Sequence, residues 1–592
     1  MKESESELKN IFEDSFQANQ RILKNYFENF SSYQHDLRDM AIAYASFASK
    51  ILIDPEETVK LQAHYLSFLD KQQKLFMSSL NRQDGEKHSP IIEPRKDDKR
   101  FRAPEWNEQP FFDYVKQSYL LVAEFMQKSV NDIDMEESRK RKLSFYMNHY
   151  IDAFSPSNFA ATNPEVVKLA QETKGESLKQ GFKNLLADID KGRITQIDET
   201  AFEVGKNLAI TPGAVVYQNE LIQLIQYKPR GKKVYENPLL IIPPWINKYY
   251  ILDLQPENSF AHFMVEKGVS VFMISWRNPS SDMRNTSFDD YVEKGILKSA
   301  EVIQSITKEK KINMLGYCLG GTLLGTALAV MHARKNVSAQ SATFLASMLD
   351  FSDVGPMGDV IDQALVRKLE RDELQKQGVM HGHDMERAFN LIRANDLIWN
   401  YVINNYLKGK SPSAFDVLYW TNDNTNLPAK MYSYYLRQMV LENKLSRKNA
   451  LRICDAPIDL GKIEVPSFVI ATNEDHISPP KTAFATTELV SGPVEFILGG
   501  SGHVMGIANP PARKKYGYSR FGKLGYGFEV WKESAQHFDG SWWTPWSEWL
   551  TSHSGKKINA PSKPGNSDYK IIEPAPGTYV KERCKICAEK IF

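Results

Sequence analysis

Apolar positions follow two regimes along this chain, and the change falls near residue 210. From Leu8 to about Leu80 they recur at helical spacing with charge between them, as in Ile22, Leu23, Tyr26 and Phe27 and again in Leu61, Tyr65, Leu66 and Leu69, which predicts amphipathic helices. The helical pattern resumes from Phe111 through roughly Phe182, with Asn158 and Asn163-Pro164 as expected turns or caps. Between the two, Asn81 to Pro104 is polar, proline-containing and charge-dense, notably at Asp97-Asp98-Lys99-Arg100, and is expected to be a mobile linker at about 81–104.

Past residue 210 the pattern becomes strand-like. Ala214-Val215-Val216-Tyr217, Leu221 to Tyr227, Pro238 to Ile242 and Val269 to Ile274 are short runs, the later ones nearly all apolar. Near-continuous apolar strands separated by helices predict a parallel sheet covered on both faces. The helix expected from Tyr291 to Ile306, the run Lys311 to Leu315, and later Phe344 to Ala346, Ser467 to Ile470 and Glu495 to Leu498 continue the alternation to about residue 550. Between Asp350 and Leu445 it stops, and a segment rich in Trp, Tyr, Asn and charge reads as a lid insertion at about 350–445. Ser552 to Phe592 reads as an extended surface tail. The expected organisation is a helical N-terminal domain over 1–200 and an α/β catalytic domain over 201–592, consistent with 592 residues being too many for one ordinary core.

Composition narrows the function classes. Lys plus Arg number 74 against 73 Asp plus Glu, a net charge of +1, so no broad basic field is available for nucleic acid. The N-terminus is polar and acidic and no apolar run approaches the length of a membrane helix, so the chain is expected to be soluble and unexported. Four cysteines, at 318, 454, 584 and 587, are too few and scattered for a disulfide framework and fit a reducing cytoplasm.

The chemistry concentrates at Gly316-Tyr317-Cys318-Leu319-Gly320-Gly321, which follows an apolar run and precedes the apolar helical stretch Thr322 to Val330. A strand, a tight turn and a helix with glycines two residues either side of a nucleophile form the elbow of α/β-hydrolase-type folds, here with cysteine where serine is usual. In that arrangement an acid and then a histidine follow, each after a late strand. Asp475 occupies the loop after Ser467 to Ile470, and His503 the loop after Glu495 to Leu498. His503 would take the thiol proton while Asp475 fixes its tautomer. His476 is the rival base and Glu474 the rival acid, but only His503 follows the last strand. The oxyanion needs two donors, the backbone N–H of Leu319 and a second from Pro243-Pro244-Trp245-Ile246, where only Trp245 or Ile246 carries one. His381-Gly382-His383 and Cys584-Lys585-Ile586-Cys587 lack completing ligands, so no metal is expected.

Gly-Tyr-Cys-Leu-Gly-Gly, the stretch Pro243 to Pro256, Glu474-Asp475-His476-Ile477 and Ser501 to Gly506 together resemble polyhydroxyalkanoate synthases, closest to the class I type. Further similarity runs from about Phe101 to the end, through Ser155 to Phe159, Asn395 to Tyr401, Tyr419-Trp420, Thr425 to Pro428, Ser541-Trp542-Trp543 and Ile572 to Gly577. The resemblance implies an acyltransferase that adds (R)-3-hydroxyacyl units, chiefly of four carbons, from their coenzyme A thioesters to a growing polyester. It implies Cys318 as nucleophile, His503 as base and Asp475 as third member, with no cofactor beyond the coenzyme A released from substrate. A homodimer at the surface of cytoplasmic polyester granules, with granule-associated proteins as further partners, is implied too. Ile246 is taken as the second oxyanion donor, and Trp245, Tyr249, Arg393, Trp420 and His476 as candidate substrate contacts. Trp245 departs from the family, which often has a small residue or cysteine there. Trp399, Tyr406, Tyr419 and Trp420 would give the lid a water-excluding role, or equally be ordinary core.

Overall fold

Strands buried at every position, such as Leu239–Ile242, Val271–Trp276, Ile312–Tyr317 and Ser467–Thr472, can exist only inside a sheet covered on both faces. The structure, a computed structural model, describes residue 20 and residues 34–80, 82, 89–96, 98–374 and 377–584, the side chains of 34–40 and 372–374 excepted. Ile22, Leu23, Tyr26 and Phe27, most of 81–88, and Cys587 lie outside the described residues. The described residues divide into two compact units, one of residues up to 198 together with 388–413, the other of 199–387 together with 414–584.

The second unit is built on eleven strands: β1 (Gly213–Gln218), β2 (Ile222–Tyr227), β3 (Leu239–Ile242), β4 (Val271–Trp276), β5 (Ile312–Tyr317), β6 (Ala339–Leu345), β7 (Ser467–Thr472), β8 (Val494–Gly499), β9 (Tyr518–Arg520), β10 (Gln536–Phe538) and β11 (Glu573–Pro574). Their order across the sheet is β10-β9-β8-β7-β6-β5-β3-β4-β2-β1-β11. The six strands from β8 to β4 are parallel. Both flanks are antiparallel, so the parallel expectation holds for the centre and fails for β1 and β2, whose short connection permits only a hairpin. The stretch expected to be a surface tail contributes β11, which pairs with β1. The parallel centre places the carboxyl ends of β3, β5, β7 and β8 on one edge, where α/β sheets carry their chemistry.

In the first unit, helices α1 (Gln34–Ile53), α2 (Pro55–Leu80), α3 (Pro110–Asn131), α4 (Glu137–Ala153), α5 (Pro164–Glu172) and α6 (Glu176–Lys191) realise the helical periodicity. Asn163 caps α5, its Oδ1 accepting from the N–H groups of Glu165 and Val166 at 3.1 and 3.3 Å with Pro164 as first helical residue. The described part of the expected linker makes specific contacts. Ile91 and Ile92 donate to Gln117 Oε1 on α3, Arg100 bonds Asp98 and the Tyr119 hydroxyl, and Phe101 is buried against Trp106. Its charges found fixed partners where composition alone suggested solvent.

Residues 388–413 depart from the lid expectation as well. Trp399, Val402 and Tyr406 form a core with Ala153 of α4 and Leu185 of α6. The Tyr406 hydroxyl donates to Asp188 Oδ2 at 2.7 Å, and Gly181 admits the Tyr406 carbonyl where a Cβ would lie 1.9 Å from its oxygen. Helical spacing of Trp399, Val402 and Tyr406 fills a groove on α6, so these aromatics are core of the helical unit. Among the described residues no helix is long and apolar enough to cross a membrane.

Candidate active site

β5 ends at Tyr317, and helix α7 (Leu319–Ala333) begins two residues later, leaving Cys318 alone in the turn with φ +52° and ψ −124°. That conformation costs an L-residue about 1–3 kcal/mol and survives only where the surroundings enforce it. The enforcement is steric. A Cβ on Gly316 would lie 2.4 Å from the Gly321 Cα, one on Gly320 2.1 Å from the Ile242 carbonyl oxygen, and one on Gly321 2.0 Å from Ser347 Oγ. Strand and helix therefore approach closely enough to push the thiol out of the turn, and Cys318 is half-buried while its neighbours in β5 and α7 are buried.

The loop after β7 carries Asp475, and the loop after β8 carries His503. His503 Nδ1 lies 2.7 Å from Asp475 Oδ2 with both side chains buried. The other carboxylate oxygen accepts the backbone N–H groups of Ile477 and Ser478 at 2.9 and 2.8 Å, and Thr472 Oγ1 donates to Oδ2 at 3.3 Å. With Nδ1 committed to Asp475, Nε2 is the ring nitrogen left to face other groups, and the imidazole also feels Cys318. Burial alone would depress His503, but the Asp475 and Cys318 charges and the hydrogen bonds to both outweigh it and hold the imidazolium well above its ordinary range. Tyr317 stacks on the His503 ring with centroids 5.5 Å apart, and its hydroxyl donates to the His503 carbonyl at 3.2 Å. The rivals fall away on geometry: Glu474 is exposed, and His476 is half-buried with its carbonyl against Gly355.

The second wall is the loop after β3. The Gly320 approach to the carbonyls of Ile242 and Pro243 seats this loop on the start of α7, where the Leu319 N–H has no intrahelical acceptor. Trp276 Nε1 pins the loop by donating to the Pro243 carbonyl at 3.0 Å. Downstream, Asn247 bridges to Asn424, Lys248 pairs with Asp423 at 2.8 Å inside the protein, and Trp420 Nε1 donates to the Lys248 carbonyl at 2.7 Å. Ile246 is half-buried between these anchors. Trp245 is 1% exposed, with its ring edge-on to Tyr435 at 5.2 Å and to Tyr291 at 6.3 Å. Its indole N–H is buried with no protein acceptor, a cost of about 1–3 kcal/mol.

Of the candidate substrate contacts, the structure brings Trp245 to this wall and redistributes others. Trp420 holds the loop through its indole. Tyr249 is fully buried, and desolvation first and the Asp253 charge next push its phenol far up against a smaller lowering by Tyr227, so it belongs to the core under the loop. Arg393 lies in the other unit and pairs with Asp396. Two neighbours of the thiol carried no signal in the sequence reading. Tyr435, half-buried with its ring against Trp245 and Phe351, has its phenol raised by desolvation and by the Cys318 charge. Tyr317 sat inside the glycine motif unassigned.

A thiol, an imidazole and a carboxylate aligned in this order, beside two candidate backbone donors, can carry out acyl transfer through a covalent thioester. Known proteins resemble the chain along most of its length. Residues 97–264 match the model described as poly-beta-hydroxybutyrate polymerase (PhaC) N-terminus, and residues 237–510 match that of the alpha/beta hydrolase fold. The chain is 42% identical to the poly(3-hydroxyalkanoate) polymerase subunit PhaC of Cupriavidus necator over 490 residues, 82% of this chain and 83% of that one. It is 39% identical to the poly(3-hydroxyalkanoate) polymerase of Methylorubrum extorquens over 553 residues, 92% and 90% of the two chains. Among solved structures, a monoacylglycerol lipase of Paleococcus ferrophilus aligns with a TM-score of 0.29 at 12% identity, over 56% of this chain and 99% of that one.

Proposed function

Because the chain belongs to the poly(3-hydroxyalkanoate) polymerases, acyltransferases built on the α/β-hydrolase fold, we propose that it polymerises short (R)-3-hydroxyacyl-CoA, chiefly the four-carbon unit, through an acyl-Cys318 intermediate. What supports this reading most is the 2.7 Å hydrogen bond between His503 and Asp475 on an imidazole that also feels the Cys318 charge.

In the proposed cycle His503 holds the proton of Cys318, and the thiolate attacks the thioester carbonyl. The carbonyl oxygen gathers charge beside the N–H of Leu319 and of Ile246. Collapse expels coenzyme A as its thiolate, which takes the proton from His503. One thioester has replaced another, so the acyl group stays activated. The 3-hydroxyl of a second unit or of the chain end then gives its proton to His503 and attacks the acyl-cysteine, forming an oxygen ester and regenerating the thiol. Thioester to ester is downhill, which drives elongation. Asp475 keeps Nδ1 protonated throughout and offsets the imidazolium charge. No cofactor enters these steps.

The product is a hydrophobic polyester, and α2 leaves Val59, Leu66, Leu69, Phe76, Met77 and Leu80 exposed along one side. That face suits attachment to a polyester granule, where the enzyme would work as a homodimer in the cytoplasm. Unchanged granule attachment by fluorescence after deletion of residues 1–100 removes this part of the proposal.

The central test is coenzyme A release from (R)-3-hydroxybutyryl-CoA, followed by sizing of the organic-soluble product. High-mass polyester supports the reading. Free 3-hydroxybutyrate alone overturns it in favour of thioester hydrolysis.

A further inference from the structure

Several tryptophans of the sheet-bearing unit have a donor role inside the protein. Trp276, Trp420, Trp542, Trp543 and Trp546 each give the indole N–H to a protein oxygen, at 2.7 to 3.1 Å. Trp245 does not, though it is as buried as they are. Its contacts are aromatic edges: Tyr291 on one side and Tyr435 on the other, with Phe351 beyond Tyr435 at 5.9 Å. Tyr435 in turn feels the charge of Cys318. The main chain that carries Trp245 is fixed against the elbow by the Gly320 approach and by the Trp276 hydrogen bond to Pro243. A rigid, bulky side chain is thus carried by the loop that packs on the elbow, two residues after Pro243, and no protein hydrogen bond accounts for the residue type.

We propose that Trp245 is the specificity-determining residue for acyl length. Its ring, buttressed by Tyr435 and Tyr291, closes the space open to the C3 substituent of the acyl group on Cys318 and admits a methyl while excluding a propyl chain. The unpartnered Nε1–H is then free for an oxygen of the bound acyl unit. The inference rests on the acyl-Cys318 reading and adds to it the part that sets the substrate range. Rigid walls discriminate well by excluding what is too large, and a pocket that gains the volume of an indole gains affinity for the longer chain through added apolar contact.

The test compares (R)-3-hydroxybutyryl-CoA with (R)-3-hydroxyhexanoyl-CoA in full-length wild type, Trp245→Ala and Trp245→Phe, reading kcat/KM by coenzyme A release. Trp245→Ala is expected to raise the six-carbon to four-carbon ratio about tenfold or more, and Trp245→Phe, which keeps most of the ring, by less than about threefold. Both variants are checked for folding by circular dichroism, and Trp245→Val takes the place of the alanine variant should that not fold. A ratio within twofold of wild type in a folded, active small-residue variant overturns the proposal, as does loss of turnover on both substrates in a folded one. Mass spectrometry of the Cys318 peptide separates the two levels: a wild-type chain that turns over without an acyl adduct defeats the acyl-cysteine reading, whatever Trp245 does.

Discussion

Asp475 and His503 share a 2.7 Å hydrogen bond in which the carboxylate has no freedom to turn, because its second oxygen is held by two backbone N–H groups of its own loop. The carboxylate is therefore preorganised as an acceptor for one ring nitrogen, and the imidazole is oriented before any substrate arrives.

Asp475→Asn keeps the shape of this contact and removes its charge, presenting an amide that favours the wrong histidine tautomer. The expected outcome is a fall in kcat of about 10³–10⁴-fold with little change in folding, by analogy with the same substitution in a serine triad. A loss under tenfold in the coenzyme A release assay shows that Asp475 is not the orienting group.

Cys318→Ala is expected to abolish both coenzyme A release and the acyl adduct, while His503, deprived of the thiolate charge that helps raise it, titrates lower than in the wild type. NMR of the His503 ring checks the second half. An undisturbed titration means that the sulfur and the imidazole do not interact.

Gly320→Ala places a methyl carbon 2.1 Å from a backbone carbonyl oxygen that has no soft direction in which to yield. A destabilisation on the order of 3 kcal/mol is expected, with turnover impaired beyond the loss of folded protein because the loop after β3 must shift. Denaturant melts and activity normalised to folded fraction are the measurements, and wild-type stability refutes the close approach.

His149, buried against Phe145 in the helical unit with ring centroids 4.4 Å apart, is pushed down to about 4 by desolvation. Between about pH 6.5 and 4 the unfolded chain binds a proton that the folded one refuses, so stability is full above the upper limit and declines as pH falls through this window. The decline amounts to about 3 kcal/mol for this group alone. Replacing it by phenylalanine should flatten that part of the pH profile in urea melts, and an unchanged slope assigns the acid sensitivity elsewhere.

How much of this was legible in the sequence depends on the range of the interaction that decides each part. The elbow could be read because Gly316, Gly320 and Gly321 are answers to local crowding, and the order of acid and histidine follows from strand order in such sheets. Asp475 was separable from Glu474 only by burial, which no spacing encodes. Tyr435 reaches the thiol from a segment more than a hundred residues later and belongs to no motif, so nothing in the chain announced it. Arg100 looked solvated because its carboxylate partners, Asp98 and Asp152, include one fifty-two residues away. Trp399 and Tyr406 stayed open for the opposite reason: aromatic residues in a long insertion fit a lid and a core equally, and the groove on α6 that claims them is visible only in three dimensions.

That groove has a bearing on how the protein comes into being. A ribosome that has released the first two hundred residues has made helices α1 to α6 but not the strip of chain that lies between α4 and α6, and Leu185 and Ala153 must wait for about two hundred more residues before they are covered. The nascent N-terminal region thus leaves this part of its core uncovered while much of the sheet-bearing unit is being synthesised. An expression fragment that stops near residue 198 inherits the same unfinished surface permanently.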